Sequence, residues 1–107
     1  MKPLRLSDVS EFRAEKFLPR LLYGSSRVRA FLLSLEPGQA LAPRPDSEEA
    51  ICLLIEGRAR LTVGTEVFAM AAGDFAAAAA GEIRGIEASE RCVALWVHLS
   101  ERDEVDD

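Results

Sequence analysis

The sequence is short of the residues from which most metal centres are built. Its 107 residues include one histidine and two cysteines, which are too few for a metal site built from several imidazole or thiolate ligands. Basic residues are also outnumbered, because 13 lysines and arginines stand against 18 aspartates and glutamates and give a net charge of −5. Phosphate backbones bind to basic surfaces, so the charge balance excludes nucleic acid as a partner.

Long apolar runs are missing as well. No segment approaches the ~18 apolar residues that a membrane span requires, and MKPLRLSDVSEF has no apolar core of signal-peptide length. We therefore expect no membrane partner and a cytoplasmic location. In that reducing compartment, Cys52 and Cys92, which both lie in apolar strand-like runs, are expected to be core residues without a disulfide.

Turn signals divide most of the chain into short strand-like segments. They recur every ~8–12 residues, as where Gly57 separates AICLLIE (50–56) from RARLTV (58–63). In RARLTV, polar and apolar residues alternate strictly, as they do on a half-buried strand. The pattern predicts one all-β domain built as an antiparallel sandwich or barrel.

Three segments are harder to assign. EKFLPRLLYG contains Pro19, which cannot donate to a strand ladder, so it predicts an edge strand or a bend. SDVSEF could form a short helical turn capped by Ser7 or Asp8. DFAAAAAGE has the local propensity of a short helix that begins at Asp74 and ends at Gly81, and a strand among closely packed neighbours is the alternative.

Two of the strands, AICLLIE and CVALWV, are apolar on both faces, although one face of a small barrel normally meets water. Either another part of the chain or a second copy must cover the outer face, and we expect a homodimer. The predicted organisation is a lead-in and edge strand over 1–26, which a dimer could exchange, a barrel over 27–100 and an acidic tail over 101–107. ERDEVDD, the tail, is expected to be a solvated end.

The run from Leu33 to Gly85 resembles the cupin superfamily, in particular its small single-domain conserved-barrel members. The resemblance is carried by LEPGQALAPRPDSEEAICLLIEGRARLTVG and FAMAAGDFAAAAAGEIRGIEA, with Gly38 and Gly57 at the two glycine positions of the first motif and Gly73 in the turn of the second. It implies an all-β jelly-roll barrel, also described as a double-stranded β-helix. It also implies that the alanine run is a strand.

Metal-binding cupins carry His-x-His and a Glu in the first motif and a His in the second. The resemblance places Arg44 and Asp46 at the first two positions, Ala50 at the third and Arg84 at the fourth. Arginine does not lose its proton in proteins and cannot serve as a ligand. Glu49 stands one residue early, and such a slip turns a side chain to the other face of a strand. We therefore expect no metal and no cofactor.

An oxygen-ligand site for Ca²⁺ or Mg²⁺ at Asp46, Glu48 and Glu49 is conceivable, but the sequence there lacks any recognised loop pattern.

The same matching predicts that Arg44, Asp46 and Arg84 point into the barrel mouth. In one interpretation Asp46 pairs with an arginine and closes the cavity. In the other, the two arginines hold the carboxylate or phosphate of a small metabolite. Glu49 and Cys52 complete the candidate ligand-binding set, because Cys52 shares strand parity with Ala50 and would gain a lowered thiol pKa if it lay near Arg44.

We therefore expect a metal-free module that binds or senses a small anion. Two alternatives stay open. One is an isomerase or epimerase that works without a cofactor, for which Asp46, Glu49, Cys52 and His98 are the available acids and bases, although no pair among them is convincing. The other is a structural dimer with a filled barrel. The sequence identifies no catalytic residue and leans against an enzyme.

Overall fold

The structure is a computed structural model that describes residues 1–100. The predicted acidic tail, 101–107, lies outside the described residues. The elements are α1 (Leu6–Val9), β1 (Arg20–Gly24), β2 (Val28–Leu35), β3 (Ala40–Pro45), β4 (Glu49–Glu56), β5 (Arg58–Val63), β6 (Glu66–Ala71), β7 (Phe75–Ala78), β8 (Ile83–Ala88) and β9 (Cys92–Leu99). Within residues 1–100 there is no helix with the length and hydropathy of a membrane span.

The strands form two antiparallel sheets that enclose one core. The first has the order β1-β2-β9-β4-β7 and the second the order β3-β8-β5-β6. Alternate residues of each strand point inward, so that Leu33 and Leu54 of the first sheet and Leu61 and Ile86 of the second join the same buried cluster. This is the jelly-roll barrel that the sequence predicts.

The segments that were harder to assign now have definite structures. β1 starts directly after Pro19 and lies at a sheet edge, as predicted for a proline-containing segment. The short helix α1 exists, but the predicted cap at Ser7 or Asp8 is wrong, because Arg5 occupies the N-cap position and makes no side-chain capping bond.

The alanine run is strand β7, so the helix favoured by local propensity is wrong there. Its backbone pairs with β4, where Ala78 lies opposite Ala50 and Ala76 lies opposite Cys52. Pairing with a central strand satisfies the backbone of the run and outweighs the modest helix preference of alanine. The strand assignment implied by the resemblance is confirmed.

A bulge in β3 determines which residues face each other at one end of the second sheet. The register between β3 and β8 shifts between Leu41 and Arg44, after which Arg44 lies opposite Arg84. β3 passes so close to Gly85 that a Cβ there would lie 2.7 Å from the carbonyl oxygen of Leu41 and from the nitrogen of Pro43. The bulge therefore needs glycine at position 85.

A second glycine closes the turn between β4 and β5. Gly57 has φ +82°, and a Cβ at this position would lie 2.1 Å from the carbonyl oxygen of Arg91. Gly38 has a similar φ of +87° with open space around it. Both glycines have a positive φ, which favours glycine, but only Gly57 is also closely packed against a neighbouring backbone.

We predict that Gly57→Ala destabilises the protein much more than Gly38→Ala. The control carries only the left-handed backbone cost of ~1–2 kcal/mol, whereas Gly57→Ala adds a backbone clash of about 2 kcal/mol or more. Urea unfolding of both variants measures the difference. Equal free energies of unfolding would contradict the close contact with Arg91.

The outer face of the first sheet is apolar across its central strands. On that face Ile51, Leu53 and Ile55 of β4 lie beside Leu95 and Val97 of β9, all of them partly buried in the single chain. A groove next to this face is lined by Leu32 and Ser34 together with Val9 and Leu18 of the N-terminal segment, which therefore lies beside β2. The expected homodimer stays a prediction.

If the homodimer forms through this sheet face, Leu53→Lys is expected to give monomers, because Leu53 lies opposite Leu95 at the middle of the apolar face. Val67→Lys is the control, since Val67 is 61% exposed on the other sheet. Light scattering after size-exclusion chromatography gives the masses. A wild-type protein with the mass of one chain at micromolar concentration would contradict the prediction.

Candidate functional site

A cavity of about 180 Å³ lies between the two sheets at one end of the barrel. Its wall combines a few polar side chains with a larger apolar surface, as ligand pockets do. The lining residues are Pro19, Phe31, Leu33, Leu41, Ala42, Arg44, Asp46, Arg84, Trp96 and His98. The candidate residues Arg44, Asp46 and Arg84 therefore share one cavity.

Arg84 is held by backbone carbonyls in the wall of this cavity. Its side chain is only 4% exposed. The Nε atom donates to the carbonyl oxygen of Glu82 at 2.7 Å, and Nη2 donates to those of Ala79 at 2.8 Å and Asp46 at 3.4 Å. The carbonyl dipoles solvate the guanidinium, yet they carry no net charge, and no carboxylate among residues 1–100 forms an ion pair with it.

Three of the residues that line this cavity carry a buried nitrogen atom with no hydrogen-bond partner among the described residues. These atoms are Nη1 of Arg84, Nε1 of Trp96 and Nδ1 of His98. The first two are obligate donors, since a guanidinium and an indole offer N–H groups only. Buried donors normally have an acceptor, so these two donors are unsatisfied by the described residues.

Arg44 adds a second guanidinium to the same wall. It lies directly opposite Arg84 in the ladder between β3 and β8, and its side chain is exposed. Like charges at directly opposed strand positions repel each other. Arg44 forms no ion pair with any other described residue, so an anion between the two arginines would relieve this repulsion.

Asp46 is occupied by its own loop. Its Oδ1 accepts a hydrogen bond from the backbone N–H of Glu48 at 2.9 Å. That bond, with a smaller contribution from the charges of Arg84 and Arg29, holds the pKa of Asp46 below its usual range despite opposing desolvation. The carboxylate therefore stays ionised, and the interpretation in which it pairs with Arg44 or Arg84 is not seen in residues 1–100.

Next to Asp46 lies a second polar cluster. Arg29 forms an ion pair with Glu48, whose Oε1 also lies 3.5 Å from Nδ1 of His98. Burial, with a contribution from the charge of Arg29, lowers the pKa of His98, and it outweighs the opposing effect of Asp46 and Glu48. His98 is therefore neutral at pH 7, and the Arg29–Glu48 pair carries no net charge.

Glu49 and Cys52, the other two candidate residues, lie outside the cavity wall. Glu49 is exposed, whereas its neighbour Ala50 is 3% exposed and points inward, as a one-residue slip requires. Cys52 faces a separate small cavity of about 10 Å³. Burial, together with Cys92, raises the pKa of the Cys52 thiol to about 12, as for a core residue, and the condition for a lowered pKa, a position near Arg44, is not met.

The residues at the four ligand positions do not fit a metal ion. Arg44 and Arg84 are cations, Ala50 has no donor atom, and Asp46 alone offers oxygen. Sequence reasoning grouped Asp46 and Glu48 with Glu49, whereas the structure groups them with His98, with ligand atoms within 4.8 Å of one another. In this cluster Glu48 is paired with Arg29, and Asp46 accepts from the backbone, so its carboxylates are already engaged.

Sequence reasoning also did not place in this cavity the side chains that the first sheet contributes to it. His98 and Trp96 come from β9 and Phe31 from β2, and the ring of His98 meets Phe31 edge-on with centroids 5.9 Å apart. The strand alternation of β9 could have put Trp96 and His98 on one face. Their position opposite Arg84 depends on how the two sheets pack.

Comparison with known proteins agrees with this architecture. Residues 31–98 match the family model described as the cupin domain. Similar solved structures include a conserved protein of unknown function from Streptococcus pyogenes (22% identity, 95% of this chain and 90% of that chain, TM-score 0.85). Another is the protein TT1209 from Thermus thermophilus, with 25% identity over 92% of this chain and 97% of that chain and a TM-score of 0.86. A third is a cupin superfamily protein from Desulfitobacterium hafniense, with 24% identity over 94% of this chain and 92% of that chain and a TM-score of 0.84.

Because the family model covers well over half of the sequence, this chain belongs to the cupin family. Comparison with curated proteins gave no match. At these identities the similar structures establish the fold and leave the ligand to be argued from the site itself.

The lowered pKa of His98 predicts a loss of stability in acid. As pH falls below 6.5, the ordinary value, the unfolded chain binds a proton that the folded chain still rejects, so the free energy of unfolding falls until the pH reaches the folded-state pKa. His98→Gln should remove this part of the slope and keep that of the carboxylates. Urea unfolding between pH 7.5 and pH 5 measures it, and identical slopes in the two proteins would contradict the prediction.

Proposed function

We propose that this protein is a metal-free cupin that binds a small anion, a carboxylate in the first place, in the cavity between its sheets. The anion lies against Arg84 and Arg44. The protein acts as a binding or regulatory module. We also propose a cytoplasmic location, which the unpaired state of Cys52 and Cys92 supports.

The observation that carries the proposal is the guanidinium of Arg84. It is 4% exposed, it lies in the cavity wall, and its Nη1 has no acceptor among the described residues. A buried charge is costly unless it is paired or well hydrogen-bonded. Carbonyl oxygens satisfy Nε and Nη2, so the N–H groups of Nη1 and the net charge of the guanidinium are left without a partner among the described residues.

The net charge of the cavity wall favours a ligand that carries little negative charge. Arg44 and Arg84 contribute two positive charges, Asp46 contributes one negative charge, and the neutral His98 contributes none. Arg44 can reach the same ligand from the exposed side, so both arginines can bind one carboxylate.

Catalysis has less support from the site. A general acid among the carboxylates would need a raised pKa, whereas the pKa of Asp46 is lowered by its backbone hydrogen bond. The Cys52 thiol, with a pKa raised to about 12 by burial, is protonated at neutral pH and is a poor nucleophile. The filled-barrel alternative is disfavoured by the cavity itself.

The proposal predicts a thermal shift that depends on the two cavity arginines. Carboxylates, phosphates and sugar acids are tested one by one, and at a hundredfold excess over Kd a bound anion should raise the melting temperature by on the order of 10 °C. The rise should vanish in Arg84→Gln and shrink in Arg44→Gln, whose exposed side chain leaves the fold intact.

Arg60→Gln is the matched control for these variants. Arg60 is an exposed arginine of the same sheet, but it pairs with Glu87 at 3.1 Å and does not line the cavity. It should respond to anions like the wild type. The proposal fails if no anion stabilises the wild type, or if Zn²⁺ or Mn²⁺ stabilises it through Asp46, Glu48 and His98 while anions do not.

A further inference from the structure

The cavity has a polar end and an apolar end, as the strand registers show. In the second sheet the pair Arg44–Arg84 is followed along the ladder by Leu41–Ile86. In the first sheet His98 is followed by Trp96, which lies opposite Phe31 on β2. Charged groups therefore surround one end, and aromatic and aliphatic side chains surround the other.

Beyond the apolar end the barrel is closed by packed side chains. Leu33 lines the cavity and is 2% exposed, and Leu35 and Leu54 farther along the inner faces of β2 and β4 are fully buried. A ligand that enters with its charge at the arginines thus has room for an apolar body of limited length. A cavity of about 180 Å³ corresponds to roughly six water molecules at ~30 Å³ each.

From these features we propose that the ligand is a small monocarboxylate with a compact apolar body, such as a single-ring acid. This inference rests on the proposed anion-binding function and names its ligand class. The carboxylate lies at Nη1 of Arg84 with Arg44 beside it. The body packs against Phe31, Leu41 and Trp96.

The charge count selects a monoanion over a dianion. Arg44, Arg84 and Asp46 leave one net positive charge on the wall, and the adjacent Arg29–Glu48 pair is neutral. A single carboxylate neutralises this charge. A second carboxylate would have to lie against Phe31, Leu33 and Leu41, where no group solvates it, and this would be costly.

The aromatic side chains favour a flat body. Trp96 is 3% exposed and lines the cavity. Its ring is tilted by 58° to that of His98, and Phe31 meets His98 edge-on. Rings in such orientations form edge-to-face contacts with a further ring.

Calorimetric titration of the full chain with a matched series tests the ligand class. Acetate, butanoate and benzoate share one negative charge and grow in apolar area, benzamide is a neutral counterpart of benzoate, and terephthalate is a dianion whose second carboxylate lies at the far end of the same ring. Benzoate should bind about tenfold or more tightly than acetate, because its ring leaves water. Benzamide and terephthalate should bind more weakly than benzoate.

The variant Leu41→Ala separates the apolar end from the anion grip. It should reduce the ratio of benzoate to acetate affinity about fivefold or more. Val67→Ala, on an exposed residue outside the cavity, should leave this ratio unchanged.

The outcomes distinguish this inference from the proposed function. Equal affinity for acetate and benzoate, a preference for terephthalate or phosphate, or an unchanged ratio in Leu41→Ala would overturn the ligand class and leave anion binding in place. If none of the acids binds, the proposed function fails together with the inference.

Discussion

The guanidinium of Arg84 is tied to three backbone carbonyls at one end of the barrel, and the arrangement of that end depends on these bonds. They join the turn between β7 and β8, through Ala79 and Glu82, to the loop that follows β3, through Asp46. A further bond from the N–H of Gly81 to the carbonyl oxygen of Asp46, at 2.6 Å, connects the same two segments. In the cupins that bind metal, the ion holds side chains from both motifs together. Here one side chain connects the two motifs.

Much of the fold could be predicted from the sequence because its signals are local. Gly57 closes a turn in which a side chain would collide with Arg91, and the alternation of 58–63 fixes which face of β5 is buried. The alanine run could not be assigned from local propensity, because its state depends on pairing with β4, far away in the chain. Resemblance supplied that information where periodicity did not.

Only the part of the candidate site on the second sheet could be predicted from the sequence. Arg44, Asp46 and Arg84 follow from position in the two motifs, all on or beside the second sheet. Trp96 and His98 belong to the first sheet, and their place in the same cavity follows from sheet packing, which no local pattern encodes. Glu49 is the opposite case, a residue that the sequence reasoning included and that lies outside the site. It is adjacent in sequence to Ala50, which points inward, and it therefore faces away from the barrel.

Replacing metal ligands by arginines keeps the sign of the charge in the cavity. A divalent ion held by neutral imidazoles and one carboxylate would leave one positive charge, and the sum of Arg44, Arg84 and Asp46 is also one positive charge. A guanidinium has no empty coordination position and no redox chemistry, so the attraction for an anionic oxygen persists while the chemistry that needs an ion does not. The apolar end of the cavity lies away from these substitutions. The proposed selection of a small acid therefore needs no ion, because it would depend on the charge at one end of the cavity and on the apolar side chains at the other.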